Sequence, residues 1–126
     1  MPIPTAWSSR ILSVLRIVVG LAFLDHGVSK FFGIPAFPMP MNPLFTVAGG
    51  LELVGGTLIL IGLFTRPVAF VLSGMCAVAY FMVHSPQGFF PLANGGEPAM
   101  LYCFIFLYFS AAGGGAWSAD ATRGAP

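Results

Sequence analysis

His26, Lys30, Glu52, His84 and Glu97 are the side chains of this sequence best suited to chemistry, and each lies within or at the end of an apolar stretch. Brought together in a low-dielectric setting, imidazole, ammonium and carboxylate groups could hydrogen-bond a polar headgroup or carry protons. They could equally form a structural ion-pair network, because buried charges persist where a partner compensates them. Two histidines and two carboxylates would also supply donors for a divalent cation. The paired Glu-x-x-His motifs of di-iron bundles are absent, however, and the donor set argues against a metal or haem. A quinone headgroup suits the same groups better, with Phe23, Tyr80, Phe104 and Tyr108 as apolar walls. Cys76 and Cys103 belong to no CxxC motif and read as small apolar packing residues. No serine triad, phosphate loop or nucleotide fingerprint is present.

The elements that must position these groups follow from composition. Hydrophobic residues make up 57% of the chain and charged residues 7%, against roughly 25% charged in a soluble domain. Too few charges exist to coat a water-facing surface, so the chain belongs in a lipid bilayer. A net charge of +1 without a basic block gives no nucleic-acid-binding surface. A crossing helix needs about 20 mainly apolar residues, and residues 11–32, 44–64, 67–84 and 97–117 meet that requirement. The expectation is an all-α fold: one integral membrane four-helix bundle over residues 1–126. The first span is read as retained, because Asp25, His26 and Lys30 follow it instead of a small-residue cleavage site.

Proline and glycine punctuate the spans. GIPAFPMPMNP and SPQGFFPLANGGEP form the long connections, and FTRP is a tight turn. An even number of spans leaves both termini on the face that carries Arg10, Arg66 and Arg123, with Arg16 just inside. Only Lys30 lies near a helix end on the other face, so the positive-inside rule places both termini in the cytoplasm. Trp7 and Trp117 occupy positions suited to an interfacial aromatic belt.

At about 100° per residue, Arg16, Gly20, Phe23, His26, Gly27 and Lys30 share a stripe that should face the bundle interior. Asp25 lies off that stripe, at a water-reaching edge or against another subunit. In the second span Glu52 shares a face with Ala48, Gly49, Gly55 and Gly56, small residues that let helices approach closely. Lys30 or Arg16 is its candidate partner; otherwise the carboxyl carries a proton. The third span places Ser73, Ala77, Tyr80 and His84 on one face, and the fourth places Glu97, Leu101, Phe104, Tyr108 and Gly115 on another. Glu97 heads its helix, where the dipole favours a carboxylate. His26 followed by FFGIP, GG and Glu52, and His84 followed by FFPL and GGE, suggest a duplicated two-helix unit. Such a repeat would gather two histidines and two carboxylates in the outward half. Arg16 would anchor the inner half or snorkel to headgroups.

Arg16, FLDHGVSKFFG, GGLELVGGTLILIGLFTRP, His84, NGGEPAMLY and GAWSAD, in that order, resemble the DoxX family of small four-span membrane proteins. The likeness runs from about Arg16 to Asp120, with matching positions at Arg16, His26, Lys30, Glu52, Arg66, His84, Glu97 and Asp120; Asp25 is outside the pattern. The resemblance implies a bacterial inner-membrane bundle associated with respiratory or sulfur-oxidising quinone chemistry through larger oxidoreductase assemblies. The expected function is therefore an accessory or quinone-interacting subunit of an oxidoreductase, with redox-complex subunits or further copies of the chain as partners. A non-catalytic assembly protein and a small transporter or proton conduit are the alternatives.

Overall fold

The computed structural model describes residues 2–124, and the regular structure among them is helical. A short 3-10 turn, Thr5–Trp7, leads into α1 (Ser8–Phe32), followed by α2 (Pro43–Ile61) and α3 (Thr65–Ala79). The α3 helix continues through a π turn at Tyr80–His84 and a 3-10 turn at Ser85–Gln87. Then come α4 (Pro91–Asn94), α5 (Glu97–Ala112) and α6 (Ala119–Thr122).

The helix ends have local causes. Gly33 and Gly62 stop α1 and α2 by adopting left-handed φ angles of 69° and 72°, a conformation glycine enters without steric cost. Asn42 starts α2 by accepting the Phe45 amide at 2.8 Å, with Pro43 in the first turn.

Three helical runs, Thr5–Phe32, Pro43–Ile61 and Thr65–Gln87, are long and apolar enough to cross a membrane. The fourth differs from expectation. The span read at 97–117 is helical only to Ala112, because Gly113 and Gly115 take φ values of 81° and 82°. At 16 residues, α5 rises about 24 Å, short of a hydrocarbon core about 30 Å thick.

The unwound backbone that follows α5 needs hydrogen-bond partners, since irregular chain at membrane depth survives only when buried in protein. Arg16 and Ser13 of α1 supply them. The Arg16 guanidinium donates to the Gly114 carbonyl and, at 2.9 Å, to that of Trp117. Ser13 Oγ donates to Gly114 O at 3.0 Å and accepts the Trp117 amide at 2.9 Å. Arg16 is 1% exposed, so it anchors this end of the bundle and does not snorkel.

Asp120 completes the same end. Its carboxylate accepts the amides of Phe64 and Thr65, both at 2.9 Å, and so caps the start of α3 from across the bundle. Burial by itself would raise this carboxyl's pKa; the Thr65 and Phe64 amides, with Arg123, outweigh burial and hold it below the ordinary range.

The α1 helix packs along α2, and α3 packs along α5. Contact between α1 and α2 depends on glycine. A Cβ at Gly20 would lie 2.7 Å from the Leu60 backbone nitrogen, and one at Gly56 would lie 2.8 Å from that of Leu24. The α1 stripe is buried at Arg16, Gly20, Phe23 and Gly27, and α2 buries Gly49, Glu52, Gly55 and Gly56. Phe23 joins the two helix pairs, with its ring centroid 5.3 Å from Tyr102 and 5.0 Å from Phe106 of α5.

On α5 the buried face is not the expected one. Leu101, Phe104 and Tyr108 are exposed, whereas Phe106 and Phe109 are buried and Tyr102 is half-buried against the core. The helix is apolar on all sides, so hydrophobic periodicity carries no information about which side turns inward.

Candidate functional site

A cavity of about 460 Å³ opens between the two helix pairs at the end opposite the termini. Its lining includes Phe23, His26 and Lys30 of α1, Glu52 of α2, Cys76 and His84 of the third run, and Tyr102 of α5. The Pro35–Met39 stretch lines its outer part.

At its centre is an ion pair between helices. Lys30 Nζ lies 2.8 Å from Glu52 Oε1 and donates to Oε2 at 3.1 Å. Both side chains are more than nine-tenths buried, with exposures of 8% and 7%. Glu52 Oε1 is close to the ammonium but has no aligned hydrogen bond. The Lys30 ammonium also lies 4.9 Å from the Phe37 ring centroid, so the proline-rich connection folds over the pair.

His84 reaches the cavity from the π turn, a helical defect frequent at functional sites. Its Nδ1 sits 3.2 Å from the Asn94 carbonyl. A carbonyl only accepts, so Nδ1 carries the proton and Nε2 of a neutral ring is left as an acceptor. Asn94 holds this corner together. Its Nδ2 donates to the Tyr80 hydroxyl at 3.1 Å and to Gly88 O at 2.9 Å, and its Oδ1 accepts the Gly96 amide at 2.8 Å. A Cβ at Gly96 would lie 2.6 Å from the Tyr80 ring and 2.7 Å from His84 Cβ, so the chain passes here only as glycine.

His26 meets the Tyr102 ring edge-on, at 5.9 Å between centroids and an interplanar angle of 88°. His26 and Asp25 are both exposed and both line the cavity, which therefore opens past them. Asp25 is thus at the cavity's open edge.

His26, Lys30, Glu52 and His84 share the cavity. Tyr80 stands behind His84 through Asn94. Glu97 does not line the cavity: exposed in the first turn of α5, Glu97 lines an adjoining groove with Pro98, Leu101, Tyr102 and Ile105, of which Pro98 and Tyr102 also line the cavity. The carboxylate that accompanies Glu52 at the cavity is accordingly Asp25, because Glu52 lies deep within α2 whereas Glu97 begins its helix. Tyr108 faces outward, and Arg16 lies about 15 Å along α1 from His26. Among the described residues, no group of three or more His, Cys, Asp and Glu side chains is arranged to hold a metal ion.

Sequence reasoning did not single out Tyr102 or Asn94. The i, i+4, i+7 spacing of Tyr102, Phe106 and Phe109 was the available sign of the inner face of α5. Asn94 precedes a glycine pair, where an asparagine side chain commonly bonds local backbone.

Apolar helices long enough to span a bilayer, packed through glycine and enclosing a buried ion pair, define a multi-span helical membrane protein. The DoxX family model matches residues 11–85, and the chain belongs to that family. An uncharacterized protein of Haemophilus influenzae is 47% identical over 120 residues, covering 86% of this chain and 87% of its own length. An uncharacterized membrane protein of Mycobacterium tuberculosis is 31% identical over 131 residues, covering 84% of this chain and 77% of its own. No solved structure matches the chain.

Proposed function

We propose that this protein is a quinone-interacting subunit or accessory protein of a membrane oxidoreductase, with the quinone headgroup held in the cavity beside Lys30 and Glu52. The carrying observation is the convergence of Lys30, Glu52, His26 and His84, from three helical runs, on one largely apolar cavity. Ligand sites typically combine apolar walls with a few convergent polar groups. Lys30 can donate to a carbonyl oxygen of the headgroup, and Glu52 Oε1 can accept from a hydroxyl. Tyr102 and Phe23 offer ring surfaces to the headgroup plane. Reduction of a quinone to a quinol takes up two electrons and two protons. The electrons would come from the partner oxidoreductase, and His26, at the cavity mouth, can pass protons inward.

In this reading the chain sits in the bacterial inner membrane with both termini in the cytoplasm, as the arginines of the terminal end favour. The cavity then faces the outer leaflet. The test is mass spectrometry of lipids extracted from gently purified protein. The reading predicts quinone enriched over the bulk membrane fraction, and depleted at least about tenfold in Glu52→Gln and His26→Ala. Quinone at bulk proportion in all three proteins would defeat it.

A further inference from the structure

At the other end of the molecule the structure presents a second groove. It has a volume of about 480 Å³ and is lined by Phe64, Arg66, Pro67 and Phe70 of the α2–α3 turn and α3, with Ser110, Asp120 and Arg123. We propose that this groove binds the headgroup of an anionic phospholipid, with its phosphate between Arg66 and Arg123.

Both guanidinium groups are fixed through Nε. Arg66 Nε donates to Ser110 O at 3.0 Å, and Arg123 Nε donates to Asp120 Oδ1 at 3.3 Å, with Arg123 lying 4.7 Å over the Phe64 ring. The bonds they make among the described residues leave the forked Nη groups for a bidentate phosphate contact. Asp120 is the carboxylate facing the groove. Its Oδ1 accepts from the Phe64 amide and from Arg123 Nε, and its Oδ2 accepts from the Thr65 amide, so two guanidinium groups and one carboxylate leave the groove with a net positive charge.

The rest of the groove argues for a lipid over a free phosphate. Phe64 and Phe70 are 48% and 66% exposed and form an apolar shelf beside the arginines, suited to the upper acyl chains of a lipid. Trp7 and Trp117, both exposed, lie toward the same end and mark it as the membrane–water interface. Basic pockets between helices at that depth recognise anionic headgroups.

The proposal is tested by equilibrating purified protein with equimolar phosphatidylglycerol and phosphatidylcholine and quantifying the lipid retained after washing. Wild type should retain phosphatidylglycerol about tenfold over phosphatidylcholine. Arg66→Gln/Arg123→Gln should fall to twofold or less, while Arg10→Gln, whose side chain stacks on Trp7 at 4.7 Å, should match wild type. Equal retention of the two lipids by wild type, or an equal loss in Arg10→Gln, would overturn it. A Phe70→Trp reporter keeps both arginines: brominated phosphatidylglycerol should quench its fluorescence more than brominated phosphatidylcholine does. Equal quenching would count against the site even if the double variant failed to fold. Excess inorganic phosphate should leave the difference in place; if it abolishes the difference, the groove is a phosphate site and not a lipid site.

Discussion

Lys30 and Glu52 form a salt bridge across the α1–α2 interface, 2.8 Å from Nζ to Oε1, with both side chains more than nine-tenths buried. Glu52 occurs on a helix face that is otherwise glycine-rich, with Gly49, Gly55 and Gly56 buried beside it. The two backbones approach closely on that face, so a lysine from α1 can reach the carboxylate without leaving its own helix. A charge alone at this depth is costly, and the pair resolves that cost while placing two polar groups at a cavity wall.

The pair predicts a pattern of coupled stabilities. Removing one member leaves the other uncompensated, so Lys30→Met should destabilise the protein by about 3 kcal/mol. Adding Glu52→Gln to that variant removes the stranded charge and should recover most of the loss. Thermal unfolding of the wild type, both single variants and the double variant in detergent measures the coupling. Strictly additive losses would mean that the two groups do not compensate each other.

Asp120 predicts an acid-sensitive end to the bundle. A carboxyl held below its ordinary pKa in the folded protein binds fewer protons there than in the unfolded chain. Its contribution is therefore complete above the unfolded value of about 3.9 and is lost as pH falls through the lower folded value. Asp120→Asn should cost about 2 kcal/mol at neutral pH, from the weakened cap on the Phe64 and Thr65 amides. The same variant should flatten the loss of stability as pH falls below about 4. Chemical or thermal unfolding across that range gives the slope, and an unchanged slope in Asp120→Asn would assign the acid limb to another group.

The two faces of α5 predict opposite sensitivities. Tyr102 packs on Phe23 and Phe106, with centroids at 5.3 and 6.0 Å, whereas Tyr108 is exposed. Tyr102→Ala should destabilise by about 3 kcal/mol, and Tyr108→Ala should stay within about 0.5 kcal/mol of wild type. A reversed order in detergent-solubilised protein would restore the face expected from the sequence.

That reversal marks where the sequence was readable. Small residues at Gly20, Gly27, Gly49, Gly55 and Gly56 have meaning by position, and charges such as Lys30 and Glu52 are too costly to leave facing acyl chains. The inward faces of α1 and α2 were therefore legible. On α5 every side is apolar and lipid is as good a neighbour as protein, so Tyr108 and Tyr102 were indistinguishable by hydropathy. The helical stop at Gly113 had a sign in the triple glycine, which the span read to residue 117 passed over, and its consequence, the need for Arg16 to bond the freed carbonyls, depends on a contact between residues about a hundred positions apart. The pairing of Lys30 with Glu52 was among the alternatives the sequence left open. Glu97 was grouped with Glu52 from a short repeat that does not hold the two at equivalent helix positions, and only the helix boundaries reveal this.

Binding of a short-chain quinone, read as a shift in unfolding stability, tests the account most directly. At a concentration about a hundredfold above its dissociation constant, a ligand that binds only the folded protein adds about 2.7 kcal/mol. The account predicts such stabilisation in the wild type and its loss in Glu52→Gln, with Tyr108→Ala behaving as the wild type does. A quinone that fails to stabilise the wild type, or stabilises Glu52→Gln to the same extent, would contradict the assignment of the cavity.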